Sequence, residues 1–86
     1  MYYLYILRSS KKAWHYIGIT DNIVKRLKEH NLGKTKSTKA YSPFELVYKE
    51  EFADRSSARK REIFLKKTAK ARLELLANIT ALSSNG

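Results

Sequence analysis

Two short aromatic-rich runs, residues 2–8 and 14–20, limit more than any other feature what this chain can fold into. Each alternates with the two-residue period of a strand and is rich in Tyr, Ile, Leu or Trp, which favour extended backbone. The polar Ser9-Ser10-Lys11-Lys12 between them has the length and character of a hairpin loop. A loop of those four residues predicts a register with Arg8 facing Ala13, Tyr5 opposite Tyr16 and Tyr3 opposite Gly18. Leu4, Ile6, Ile17 and Ile19 then share one face, which reads as core. Tyr3, Tyr5, Trp14, Tyr16 and the bare backbone of Gly18 share the other, which reads as a tyrosine-lined surface with Leu7 as its exception. A slip of one residue would mix the two sets.

A helix is expected next, with Thr20 or Asp21 as N-cap and Gly33 just beyond its end. Ile23, Val24 and Leu27 supply its apolar side, while Asn22, Arg26 and His30 recur at i, i+4 and i+8 and form a separate stripe. Residues 31–44 make a long polar connection carrying Lys34, Lys36 and Lys39. Connections longer than about 12 residues in compact domains are usually functional or mobile. A third strand is predicted over 45–52, and a second helix capped by Asp54 or Ser56 and running to Lys67. A last helix over 69–82 places Leu73, Leu76 and Ile79 at helical spacing. The order β-β-α-β-α-α defines an α+β domain, a small three-stranded antiparallel sheet flanked by helices. It is expected to occupy residues 1–82, with 83–86 as a disordered tail.

The sequence contains no cysteine, which excludes disulfides and thiolate zinc sites. His15 and His30 alone cannot build a structural zinc site. No apolar run approaches the roughly 20 residues of a membrane span, so the cytoplasm is the expected compartment. The net charge of +10 creates a field that concentrates polyanions, nucleic acid first and an anionic membrane surface second.

On the second helix Ala58, Glu62, Leu65 and Ala69 fall in one narrow stripe, so Glu62 is expected to face the protein. A buried carboxylate is costly unless it is paired or holds a metal. An i,i+4 pair with Lys66 is the simpler account. Arg26 and His30, one helical turn apart, present a rigid fork of donors and an imidazole that together suit a phosphate. A solvated basic face is the ordinary alternative, as strand packing is for Tyr5 and Tyr16. Taken together with the charge, these groups suit phosphodiester hydrolysis, which needs an activated water, a cation against the charge developing on the phosphate, and a divalent metal. One carboxylate is a sparse ligand set, but Mg²⁺ tolerates it by keeping waters and taking oxygens from substrate phosphate.

With these residues in this order, the sequence resembles the GIY-YIG nuclease superfamily over about residues 2–67. Tyr3-Leu4-Tyr5 matches the first half-motif with Tyr3 in place of its usual glycine, and Tyr16-Ile17-Gly18 matches the second half unchanged. Arg26-x-x-x-His30 follows on the first helix and Glu62 on the later one. Gly18-Ile19-Thr20, Leu46-Val47-Tyr48 and Arg61-Glu62-x-x-x-Lys66 resemble the small stand-alone bacterial members. The resemblance implies a metal-dependent endonuclease acting on DNA, with RNA as the other substrate. It implies that Glu62 binds one divalent ion, Mg²⁺ or Mn²⁺, and that Arg26 contacts the scissile phosphate. It implies that Tyr16 or Tyr5 positions or deprotonates the attacking water, with His30 assisting. Gly18 is expected to be glycine because a side chain there would crowd Tyr3 or an approaching phosphate. Lys34, Lys36, Lys39, Arg59 and Arg61 are expected to hold the nucleic-acid backbone. Tyr3 adds bulk beside the site, and Asn78 carries no assignment. The alternative is a non-catalytic nucleic-acid-binding module or a domain that cuts only with a protein partner. Repair, recombination and RNA processing are all compatible with these residues.

Overall fold

A computed structural model describes residues 1–84. The two alternating runs become strands β1 (Tyr2–Ser9) and β2 (His15–Thr20), followed by helix α1 (Ile23–Asn31), strand β3 (Phe44–Phe52), and helices α2 (Arg55–Lys67) and α3 (Ala69–Ser84). The sheet is antiparallel in the order β2-β1-β3, so the expected α+β architecture is the one observed. The last helix reaches Ser84 where a tail was expected from residue 83, and residues 85–86 lie outside the described residues.

The hairpin register differs from the four-residue-loop expectation by two positions. Tyr3 pairs with Thr20, Tyr5 with Gly18, Leu7 with Tyr16 and Arg8 with His15. The cause is Ser9, whose Oγ accepts from the backbone N–H groups of Lys11 and Lys12, each at 3.1 Å. Its own N–H donates to the Trp14 carbonyl at 3.0 Å. The connection therefore takes in residues 10–14. A shift of two preserves the parity of every side chain, so the two faces keep the residues predicted for them.

Both faces are buried, and this corrects the reading of the tyrosine face as a surface. On one side Leu4, Ile6 and Ile17 pack with Leu65 of α2 and Ile79 of α3. On the other, Tyr5, Leu7 and Phe44 form a second cluster, covered by Trp14, Tyr16, Tyr41, and Ile23 and Leu27 of α1. Leu7 is thus no exception, because an amphipathic α1 must bury its apolar stripe and this face receives it. A bulge in the β1–β3 pairing, between Ile6↔Tyr48 and Leu7↔Leu46, turns Phe44 toward the α1 side.

The caps follow from short polar side chains that accept the first free N–H groups of a helix. Asn22, not Thr20 or Asp21, caps α1 by accepting from Lys25 N–H at 3.1 Å. Asp54 caps α2 by accepting from Ser57 N–H at 2.8 Å. Gly33 ends α1 with φ at +73°, the left-handed region that glycine enters freely. At the far end of α2, the Arg72 guanidinium donates to the carbonyls of Leu65 and Lys66 at 3.4 and 3.0 Å.

The long connection is tied down at several points. A single 3₁₀ turn spans Lys39–Tyr41. Trp14 and Tyr41 stack at 4.1 Å between ring centroids. The Asn31 side chain accepts from Phe44 N–H at 2.5 Å and donates to the Phe44 carbonyl at 3.1 Å, clamping the end of α1 to the start of β3. Among the described residues no helix is long and apolar enough to cross a membrane.

Candidate active site

Strand alternation sends Tyr5 and Tyr16 to the α1 side of the sheet, and α1 brings Arg26 and His30 down onto them. Tyr5 and Tyr16 are diagonal neighbours rather than directly opposite, with ring centroids 6.0 Å apart. The His30 ring lies 4.8 Å from that of Tyr16 and 6.1 Å from that of Tyr5. Tyr5 is 1% exposed and His30 fully buried, while Tyr16 is half-buried and reaches the surface.

A chain of hydrogen bonds joins Thr35, Thr38, His30 and Tyr5. Thr38 Oγ1 lies 3.3 Å from the Thr35 carbonyl, which can only accept from it, and 2.8 Å from His30 Nδ1. His30 Nε2 lies 3.1 Å from the Tyr5 hydroxyl, and which of the two donates is set by the tautomer of the imidazole. Burial pushes the Tyr5 hydroxyl up to about 12; Arg26 opposes the shift and Tyr16 adds to it. The same loss of water holds His30 below its ordinary range, helped by the Arg26 charge and opposed by Glu29. Arg26 is half-buried and donates to Glu29 at 3.3 Å. Burial works against its charge, but Tyr5, Glu29 and Tyr16 together hold it more firmly protonated than usual.

These shifts carry a sign for stability. A histidine kept neutral by the fold binds a proton more readily once unfolded, so folding free energy is lost as pH falls below about 6.5. His15, lowered by burial and by Arg8, contributes in the same direction. Thermal unfolding is therefore expected to show a falling Tm from pH 7 to pH 5, and a shallower fall in His30→Gln. An equal slope in both proteins would remove His30 as a source.

Gly18 sits beneath both rings. A Cβ built there would lie 2.8 Å from Tyr16 Cε2, 2.8 Å from Tyr5 Oη and 2.9 Å from Tyr5 Cζ. Within the protein those two rings, rather than Tyr3, crowd the position. Tyr3 instead pairs with Thr20 and donates to Glu51 on β3 at 3.5 Å. Tyr5 has no space to retreat, so Gly18→Ala is expected to destabilise by about 1–3 kcal/mol, as overpacking does. For a domain this small each kcal/mol corresponds to a Tm drop of about 4–8 °C. An unchanged Tm in a calorimetric scan would contradict the close fit.

Glu62 is 5% exposed, as its stripe on α2 predicts. Its two carboxylate oxygens accept separately from Arg59 at 2.5 Å and from Lys66 at 3.1 Å. Both partners extend toward solvent, with side chains 59% and 49% exposed. Lys66 Nζ also stands 6.0 Å from the centre of the Tyr16 ring, joining Glu62 to the tyrosine cluster across the edge strand β2. The site is thus two juxtaposed parts: a buried Tyr–His–Arg cluster under α1 and a cation-saturated carboxylate on α2.

Of the cationic residues expected to hold nucleic acid, Lys34, Lys36 and Lys39 are exposed. Arg59 is held by Glu62. Arg61 makes a two-pronged ion pair with Glu50 at 3.0 and 3.1 Å and lies over the Phe64 ring, so its charge is engaged within the fold. Asn78 is exposed on α3. Thr38, beside His30, is the member of this cluster that the sequence hid. It is fully buried in a segment whose composition is that of a solvated, lysine-bearing loop.

The sheet order, the paired tyrosines under an Arg/His helix and the glutamate on the following helix define a GIY-YIG-type domain. The GIY-YIG catalytic domain family matches residues 1–74, and the chain belongs to this family. It is 37% identical to the UPF0213 protein CPE1444 of Clostridium perfringens, over 99% of this chain and 92% of that protein. It is 46% identical to a UPF0213 protein of Syntrophus aciditrophicus, over 86% and 87% of the two chains. The solution NMR structure of the UPF0213 protein BH0048 from Bacillus halodurans has the same fold. It superposes with a TM-score of 0.55 at 30% identity, covering 91% of this chain and 83% of that one.

Proposed function

We propose that this chain is a metal-dependent endonuclease that hydrolyses phosphodiester bonds in DNA, or in RNA. The observation that carries the reading is the convergence of Tyr5, Tyr16, His30 and Arg26 on one side of the sheet, with Glu62 linked to them through Lys66.

Glu62 is the residue that would hold the metal. No group of three or more His, Cys, Asp or Glu residues suited to a metal occurs among the described residues, so it would be the sole protein ligand. One carboxylate fits a hard ion such as Mg²⁺ or Mn²⁺, which completes its oxygen shell from water and substrate phosphate. Both of its oxygens are engaged by Arg59 and Lys66, whose side chains extend toward solvent, so a metal would take the place of these two cations on the carboxylate. When bound, the ion supplies Lewis-acid stabilisation of the phosphate.

The chain's own groups do the rest. Arg26 remains charged and offers a planar fork to the phosphate as negative charge develops on it. Tyr16, the tyrosine of the pair that reaches the surface, positions the attacking water. Tyr5, with a hydroxyl pushed up to about 12, is a poor base by itself, but it is hydrogen-bonded to His30. When the Tyr5 oxygen takes a proton from the water side, its own hydroxyl proton passes to His30 Nε2, and the imidazole is the group that stores it. Lys34, Lys36 and Lys39 hold the nucleic-acid backbone and carry no sequence preference.

The substrate is found by offering the protein supercoiled plasmid, branched DNA and structured RNA with Mg²⁺ or Mn²⁺. Cleavage of at least one substrate, stopped by chelator, is the expected result. Binding of all three with no cutting would favour the non-catalytic module instead.

A further inference from the structure

Thr38 joins the active cluster to the long connection, and nothing in the family's motif residues includes it. It is fully buried, and its hydroxyl hydrogen goes to the Thr35 carbonyl. With its hydrogen on that carbonyl, the oxygen accepts from His30 Nδ1–H across the 2.8 Å contact. A neutral imidazole has one N–H, so placing it on Nδ1 leaves Nε2 as a lone pair aimed at Tyr5, 3.1 Å away.

We propose that Thr38 is a positioning residue that locks His30 in the Nδ1–H tautomer, so that Nε2 can accept the proton of Tyr5. The claim rests on the nuclease reading for its purpose but not for its geometry. In the transfer the Tyr5 O–H bond breaks and the proton bonds to Nε2. The imidazole becomes imidazolium, its Nδ1–H still held by Thr38, and Tyr5 oxygen takes a proton from the water side. No proton or charge is lost. With the opposite tautomer Nε2 carries a hydrogen, and Tyr5 could only accept from it, which stops the transfer. The backbone carbonyl of Thr35 completes the arrangement, since without it the Thr38 hydroxyl could donate to Nδ1 and stabilise that wrong tautomer. The 3₁₀ turn and the stacked Tyr41–Trp14 pair hold this stretch of chain in place.

The test reads the imidazole nitrogens by ¹⁵N NMR in the metal-free protein, without substrate, and reads cleavage separately. Wild type and Thr38→Ser are expected to show a protonated Nδ1 and an unprotonated Nε2. Thr38→Val is expected to shift His30 toward Nε2–H and to cleave about 10²-fold more slowly, while Thr38→Ser retains most of the rate. A protonated Nε2 in wild type overturns the proposal even if Thr38→Val fails to fold. So does an unchanged tautomer in Thr38→Val, or a reversed tautomer with an unchanged rate. If wild type cuts nothing, the nuclease reading fails on that result, while the tautomer claim is still decided by the spectra.

Discussion

Replacing Glu62 with glutamine is expected to abolish metal-dependent cleavage while leaving the fold intact. The amide keeps the shape and one acceptor oxygen but loses the charge, so it no longer attracts a divalent ion. A metal contributes several kcal/mol of charge stabilisation in phosphoryl chemistry, and each 1.36 kcal/mol is tenfold, so the loss is about 10³-fold. Stability is expected to move little. Arg59 and Lys66 extend toward solvent and can rehydrate when the carboxylate is gone, unlike a charge sealed in a core. Cleavage by Glu62→Gln at the wild-type rate would exclude it as the metal ligand. A large drop in Tm would instead mark Glu62 as the structural ion-pair partner that its spacing to Lys66 first suggested.

The second large effect is at Arg26. Arg26→Ala is expected to lower cleavage by about 10²- to 10³-fold, the range for removing one preorganised donor from a developing oxyanion. Nucleic-acid affinity is expected to change little, because exposed lysines away from the cluster supply most backbone contact. The split matters: a variant that loses binding and rate together would make Arg26 a docking residue. Arg26→Lys is informative beside it. Lysine keeps the charge but not the planar fork that now donates to Glu29, so only partial recovery is expected.

Why some of this was readable from sequence follows from the physics of each element. Strand alternation is local, so the two-residue period sorted Leu4, Ile6, Ile17 and Ile19 from Tyr3, Tyr5 and Tyr16 correctly even with the register wrong. The error came from Ser9, whose hydroxyl draws two backbone N–H groups into a wider turn, a choice that composition does not announce. The helical stripe placed Glu62 inward because a 3.6-residue period is equally local. Burial of the second face was missed because it depends on where α1 lands, and the same docking brings His30 onto Tyr5. Thr38 was unreadable for the same reason: a small polar residue in a lysine-rich stretch carries no period, and its partner is eight positions away on another element. The Glu50 partner of Arg61 lies across the fold on β3, where sequence spacing does not show it.

The central claim is that this chain cuts nucleic acid by itself with one divalent ion, and wild-type protein on supercoiled plasmid tests it most directly. Nicked or linear product with Mg²⁺ or Mn²⁺, absent with chelator and restored when metal is returned, is the predicted result. Plasmid that stays intact with every metal, while a gel shift shows it bound, would contradict the claim.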